Sequence, residues 1–79
     1  MWKNENNALT ANFKFKNFKD CFEFMTTIAK YAEEVNHHPT WTNTYNNLEI
    51  ILTTHDTGGV SEKDHKMSAF ISEQFDKIN

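Results

Sequence analysis

The chain has 79 residues, a formal net charge of −3 and a single cysteine, Cys21. The length fits one domain, residues 1–79, and the lone cysteine excludes an intramolecular disulfide and a multi-cysteine zinc site. The acidic balance disfavours nucleic acid, no apolar run could cross a membrane, and no secretory signal is visible, so we expect a cytoplasmic protein. A chain this short has a thin core, and self-association is the expected way to stabilise it.

The N-terminal segment has the pattern of a strand pair. Apolar and polar residues alternate over residues 9–16, which predicts a half-buried strand. Trp2 is expected to open a preceding strand, with Asn6-Asn7 as the turn between them.

From residue 18 the apolar spacing changes to three and four, which predicts a helix of about five turns. Asn17 is the expected N-cap, and Pro39 is expected to end the helix because a proline disfavours helical geometry in the residue before it. Phe24 and Tyr31 are predicted to lie off the buried stripe. The predicted stripe consists of Phe18, Cys21, Phe22, Met25, Ile28, Ala29, Ala32 and Val35.

The second half of the chain is predicted to have the same order of elements, two strands followed by a helix. Strands are predicted at residues 41–45 and 48–54, joined by a turn at Asn46-Asn47. Gly58-Gly59 then breaks the second strand, and residues 61–64 have the Ser-x-x-acid pattern that opens a helix. The face predicted to be shared in the second strand is Leu48, Ile50, Leu52 and Thr54. The order predicts an α+β fold, a four-stranded antiparallel sheet with both helices on one face.

Three histidines are the candidates for chemistry: His37, His38 and His55. The adjacent pair lies in a helix-to-strand loop stiffened by Pro39, and loops on rigid scaffolds concentrate catalytic groups. Histidine exchanges a proton near neutral pH, so we favour general acid–base catalysis. A metal site that adds a carboxylate from Glu33 or Asp56 is the weaker alternative, because the i,i+4 spacing of a helical zinc motif is missing.

Other reactive residue types have simpler interpretations. Ser61 is read as a helix cap, and Cys21 as a small core residue. His65 is expected to be exposed in the last helix. Asp64 has two interpretations, as the acid of a helix N-terminus or as a site residue, and the first is favoured.

Several segments resemble the pterin-4a-carbinolamine dehydratases. They are residues 13–18, 32–41, 45–46, 52–56 and 59–64. The His-His-Pro-x-Trp element with Thr-His downstream is more specific than any single piece. The resemblance implies the α+β fold, homodimers or homotetramers, and no metal or organic cofactor. It implies dehydration of a 4a-hydroxytetrahydropterin substrate to the quinonoid dihydropterin, which recycles the tetrahydrobiopterin-type cofactor of aromatic amino acid hydroxylases.

The resemblance, taken with the chemistry of dehydration, also gives expected roles. His37 and His55 would transfer protons, while His38 would mainly hold the pterin. Glu33 would orient or tune the imidazoles, and Trp41 would be either an aromatic wall beside the pterin or a plain core residue. The expected substrate-binding set is Glu33, Asn36, Trp41, Thr53, Thr54, Asp56 and Asp64.

Asn36 marks a departure from the better-known animal members, which carry Asp there and have a further N-terminal helix.

Two other functions fit the same residues. One is a dimerisation or regulatory adaptor built on the same fold, and the other is an allied pterin role such as molybdopterin metabolism.

Overall fold

The computed structural model describes residues 1–78. The strands are β1 (Lys3–Glu5), β2 (Ala8–Lys14), β3 (Thr40–Thr44) and β4 (Asn47–Leu52), and the helices are α1 (Phe18–Val35) and α2 (Glu62–Ile78). A short 3-10 helix, His55–Thr57, lies between β4 and α2. All four strands pair antiparallel in the order β1-β2-β4-β3, so the predicted fold is confirmed. In the described part of the chain, neither helix has the length and apolar character needed to cross a membrane.

Asparagines close the first hairpin, as predicted. Glu5 pairs with Ala8, and Asn6 and Asn7 take φ angles of 52° and 62°. Two consecutive left-handed residues give a tight turn whose twist matches that of the flanking strands, and asparagine tolerates this conformation better than most residues.

The second hairpin turns one residue earlier than predicted. Thr44 pairs with Asn47, so the loop is Tyr45-Asn46, and Tyr45 takes the positive φ of 52°. The side-chain amide of Asn46 donates to the carbonyl of Phe15 at 2.9 Å, and the Phe15 N–H donates to the Asn46 carbonyl at 2.9 Å. These contacts with another segment hold the turn in place, and sequence spacing does not report them.

The core lies between the helices and one face of the sheet, and it includes the predicted face of β4. Burial raises the pKa of the Cys21 thiol, which fits its predicted role as a core residue. The buried cluster is Leu9, Ala11, Phe13, Phe15, Cys21, Phe24, Ile28, Ala32, Leu48, Ile50, Leu52, Met67 and Ile71.

The buried stripe of α1 differs from the predicted one. Phe24 is 1% exposed, whereas Phe18 and Phe22 are 46% and 53% exposed, so the prediction that Phe24 lies off the stripe was wrong. The Phe24 ring lies 5.5 Å from the ring of Phe13 and 5.1 Å from that of Phe15, measured between centroids. Phe24 is therefore buried because Phe13 of β2 and Phe15, just past the end of that strand, form a pocket for a third ring. Ala29 and Val35 of the predicted stripe are also exposed.

The ends of α1 are set by two asparagines. The predicted N-cap is confirmed, since the Asn17 side chain accepts a hydrogen bond from the Asp20 N–H at 2.8 Å. At the other end Asn36 takes φ 53°, and the N–H groups of Asn36 and His37 both donate to the Ala32 carbonyl. A left-handed residue at this position ends a helix. The helix thus ends at Val35, four residues before Pro39, and Asn36 directs the chain into the loop that carries the histidines.

Candidate active site

The loop after α1 and the segment after β4 meet around a cavity of about 300 Å³. All three candidate histidines line it, although His55 lies on a different segment of the chain from His37 and His38. Every lining residue is polar, and the volume lies at the small end of the range for ligand pockets. The lining residues are Asn36, His37, His38, Thr53, Thr54, His55, Asp56 and Lys63.

His37 is held from behind by a buried carboxylate. Its Nε2 lies 2.6 Å from Oδ1 of Asp64, which is in the first turn of α2. The Asp64 side chain is 0% exposed and that of His37 is 10% exposed. A hydrogen bond this short and this well shielded fixes both the position and the orientation of the imidazole ring.

Asp64 has further partners that stabilise its charge. Its Oδ2 accepts from the Thr54 hydroxyl at 2.7 Å and from the Ser61 N–H at 2.9 Å. Burial alone would raise the pKa of Asp64, but the hydrogen bonds from Thr54, His37 and Ser61 together lower that pKa below its ordinary value. The carboxylate is therefore ionised near neutral pH and can only accept hydrogen bonds.

The ionised state of Asp64 determines which ring nitrogen of His37 carries the proton. Because an ionised carboxylate has no proton to give, Nε2 of His37 must carry the hydrogen of their shared bond. In the neutral imidazole, the lone pair is then on Nδ1. Asp64 thus selects the tautomer of His37 that presents a basic Nδ1.

Asp64 makes contacts of the kind that each of its two interpretations requires. As a helix acid, it reaches back to the N–H of Ser61, which precedes α2, in the manner of a capping box. As a site residue, it binds His37. The Thr54 hydroxyl gives its proton to Asp64, so the 2.7 Å contact between Ser61 Oγ and Thr54 Oγ1 has Ser61 as its donor. The hydroxyl of Ser61, read as a cap, instead supports this network.

His38 has a carboxylate partner of a different kind. Its Nε2 lies 2.6 Å from Oε2 of Glu33, but the two side chains are 54% and 79% exposed. Of the two adjacent imidazoles, it is therefore His38 that Glu33 contacts. Water competes for both groups, so this pair orients the ring far less strictly than Asp64 orients His37.

His55 opens the 3-10 helix, where both it and Asp56 are exposed. The turn that carries them is closed by two backbone hydrogen bonds between Thr54 and Gly59, of 2.9 and 3.2 Å. Gly58 takes φ 71°, a conformation that side chains disfavour. This closed turn gives His55 a defined position in the cavity lining, on a segment separate from the α1 loop, and leaves it exposed to solvent.

Of the ten predicted site residues, seven line the cavity and two more, Glu33 and Asp64, bind its histidines. Trp41 is not in the lining; it is half-buried on β3 and packs against the hydrophobic core. The sequence analysis did not identify Lys63 as a cavity residue. In sequence it has the pattern of an ordinary solvent-exposed lysine in the first turn of a helix. Within residues 1–78, no three His, Cys, Asp or Glu side chains are grouped so as to hold a metal ion.

Comparison with known proteins gives a consistent result. Residues 1–74 match the family model described as pterin 4 alpha carbinolamine dehydratase. Two curated proteins that carry the family name are similar to this chain. The protein of Bordetella avium (strain 197N) is 46% identical over 66 residues, which cover 84% of this chain and 61% of that protein. The protein of Christiangramia forsetii (strain DSM 17595 / CGMCC 1.15422 / KT0803) is 44% identical over 78 residues, covering 99% and 80%.

A solved structure has the same fold. The crystal structure of a transcriptional coactivator/pterin dehydratase from Brucella melitensis superimposes with a TM-score of 0.91 at 41% identity. The match covers 94% of this chain and 81% of that one. The chain spans less than two thirds of the Bordetella protein but about four fifths of the other two.

Proposed function

Because the chain belongs to the pterin 4 alpha carbinolamine dehydratase family, we propose that it removes water from a 4a-hydroxytetrahydropterin. In this reaction the C4a–O bond breaks, the oxygen leaves as water after receiving a proton, and N5 loses its proton as the C4a=N5 bond forms. The product is the quinonoid dihydropterin. The observation that carries the proposal is the convergence of three histidines on one polar cavity, with one of them held by buried Asp64.

His37 is proposed to take the proton from N5. Its Nε2 hydrogen is committed to Asp64, which leaves Nδ1 as the basic nitrogen of the ring. As Nδ1 gains a proton the ring becomes cationic, and the ionised carboxylate 2.6 Å away stabilises that charge. The pair therefore stabilises the transition state more than it stabilises the resting state, and such differential stabilisation accelerates a reaction.

His55 is proposed to protonate the departing hydroxyl group. It lines the same cavity on a separate turn, so the two proton transfers can take place at different atoms of one substrate. Because His55 is exposed, water can return the donated proton to its ring after each turnover. His38 is assigned to holding the pterin, and the backbone of residues 53–56 to binding its polar edge.

The test is a dehydration assay on purified protein. His37→Ala and His55→Ala are each expected to lower kcat by about 10²-fold or more, the usual contribution of one positioned acid or base. His65→Ala is the matched control, because it makes the same chemical change on an exposed position of α2 outside the cavity lining. A wild-type protein no faster than buffer, or a His65→Ala loss equal to the others, would refute the proposal.

A regulatory adaptor is the second candidate, and the Brucella structure, described as a transcriptional coactivator/pterin dehydratase, is the observation that favours it. An adaptor would bind its partner through surfaces that need no histidine. Partner binding that survives replacement of His37, His38 and His55 together, in a protein without dehydratase activity, would favour the adaptor. Either function is proposed for a homodimer or homotetramer, which light scattering measures directly.

A further inference from the structure

Thr54 contacts the candidate active site through a buried hydroxyl group as well as through its backbone. The residue is 8% exposed, and its hydroxyl donates to Oδ2 of Asp64 at 2.7 Å. The same hydroxyl accepts a hydrogen bond from the Ser61 hydroxyl at 2.7 Å. Asp64 binds His37 through its other oxygen, so one chain of hydrogen bonds connects the Ser61 hydroxyl to the proposed base.

We propose that Thr54 is a positioning residue whose hydroxyl sets the strength of His37 as a base. The inference rests on the proposed function, in which Nδ1 of His37 takes the proton from N5. The Thr54 hydroxyl shares the negative charge of Asp64, which weakens the carboxylate as an acceptor for the Nε2 hydrogen of His37. Nδ1 is therefore a weaker base than it would be beside a carboxylate without this donor.

A base of moderate strength suits the reaction. A general base acts only while it is unprotonated, and catalysis is best when its tendency to bind a proton matches the working pH. A buried carboxylate with no other donor would hold the neighbouring ring in its cationic form, which has no lone pair on Nδ1. The donors on Oδ2 of Asp64 oppose this, and the charge that remains still stabilises the cation formed during the reaction.

The contribution of Thr54 is also visible in the acidity of Asp64. Burial raises the pKa of Asp64, and the hydrogen bond from Thr54 is the largest of the contributions that lower that pKa. The Ser61 hydroxyl strengthens this bond, because a group that accepts one hydrogen bond becomes a better donor of the next.

The backbone fixes the position of the Thr54 hydroxyl. The Thr54 N–H donates to the Gly59 carbonyl at 2.9 Å, and the Thr54 carbonyl accepts from the N–H groups of Gly59 and Thr57, each at 3.2 Å. The backbone angles of Thr54, φ −121° and ψ 113°, are extended, a geometry that suits a β-branched side chain with few rotamers. The hydroxyl is thus held against Asp64 before a substrate binds, as a preorganised site requires.

Other titratable groups surround His37 and contribute to the pH dependence of the reaction. A substitution of Thr54 leaves all of them in place, so a difference between the pH profiles of wild type and variant reports on Asp64. These groups are Glu33 near the end of α1, His38 in the loop after it, His55 and Asp56 in the 3-10 helix, and Lys63 in α2.

The test compares Thr54→Val, which removes the hydroxyl and keeps the shape, with Thr54→Ser, which keeps the hydroxyl. In Thr54→Val the acid limb of the pH profile of kcat/KM is expected to move up by about 0.5–1 pH unit, because a hydrogen bond to a charged group is lost and part of its effect reaches His37. The alkaline limb, which the proposed mechanism assigns to His55, should not move. Thr54→Ser should keep the wild-type profile.

Thr26→Val is the matched control. It makes the same chemical change at an exposed position of α1, where the hydroxyl donates to the Phe22 carbonyl outside the cavity lining, and it should leave the profile unchanged. Circular dichroism establishes that each variant is folded. If Thr54→Val does not fold, Ser61→Ala carries the test, because it removes the donor to Thr54 and is expected to move the acid limb in the same direction by less.

Proton NMR gives a second measurement that needs no turnover. The Nε2 hydrogen of His37 is shielded from water, and its resonance should move downfield in Thr54→Val because the carboxylate becomes a stronger acceptor. If no pterin is dehydrated but the resonance moves in Thr54→Val and not in Thr54→Ser, the assignment of Thr54 stands and the dehydratase proposal fails.

Two results would overturn the assignment while the dehydratase proposal stands. In the first, the protein dehydrates the pterin, and folded Thr54→Val changes neither the acid limb nor the resonance. In the second, Thr54→Val lowers kcat/KM equally at every pH and Thr54→Ser does not restore it, which is the behaviour of a purely structural residue.

Discussion

Two histidine–carboxylate pairs of equal length flank one loop and differ in almost everything else. The Nε2–O distance is 2.6 Å both for His37 with Asp64 and for His38 with Glu33. The side chains of the first pair are 10% and 0% exposed, and those of the second are 54% and 79% exposed. An exposed ion pair contributes roughly 0–1 kcal/mol, whereas removing one partner of a buried pair costs about 3–5 kcal/mol. A short distance therefore does not by itself assign a role, and burial decides.

The surroundings of the carboxylates extend the contrast. Asp64 accepts from Thr54, Ser61 and His37, so it has one fixed orientation. Glu33 lies on the last turns of α1, where its side chain contacts His38 and is 79% exposed to water. Only the buried pair can impose a tautomer on its histidine throughout the catalytic cycle.

The largest expected effect comes from Asp64→Asn. The Asn oxygen would accept from Thr54 and Ser61, so its NH₂ group would point at Nε2 of His37 and force the proton onto Nδ1. We expect kcat to fall by about 10²-fold or more, since the proposed base loses its lone pair at Nδ1. The free energy of unfolding should fall by about 1–3 kcal/mol. The pH dependence of kcat should also change, which a purely structural defect would not produce. Unchanged kcat in a folded variant would remove Asp64 from the mechanism.

Acid stability is expected to show the next effect. The folded pKa of Asp64 is lowered, so the protein releases this proton more easily than the unfolded chain does. The resulting stabilisation is fully present above the unfolded-state pKa of about 3.9 and is lost as pH falls through the lower folded pKa. Urea unfolding between pH 6 and pH 2.5 should show a steeper acid loss for wild type than for Asp64→Asn. Parallel curves would contradict the lowered pKa.

Sequence patterns predicted the features that depend on neighbours along the chain. The Asn6-Asn7 turn, the Asn17 cap and the buried face of β4 all follow from local spacing and were confirmed. The position of Phe24 and the turn at Tyr45-Asn46 depend on contacts with other elements, and there the predictions were wrong.

The candidate site divides in the same way. The histidines were found because their residue type and loop context are visible in sequence. The partner of His37 lies 27 residues away in the first turn of another helix, where an acid is also explained as a helix N-terminal residue. Lys63 was missed for a related reason, since its place in the cavity depends on how α2 docks against the rest of the fold.

Glu33→Gln should have the smallest effect, and it sharpens the comparison because it makes the same acid-to-amide change as Asp64→Asn. The Gln side chain keeps an oxygen or an NH₂ group within reach of His38, and water replaces what is lost. We expect the free energy of unfolding to change by less than about 1 kcal/mol and kcat/KM by less than about threefold. Because an exposed pair is screened by salt, the remaining difference from wild type should shrink further in about 1 M NaCl, where the Debye length is about 3 Å. The difference between wild type and Asp64→Asn should persist in the same buffer. A Glu33→Gln loss as large as that of Asp64→Asn would show that His38 depends on its carboxylate for catalysis as much as His37 does.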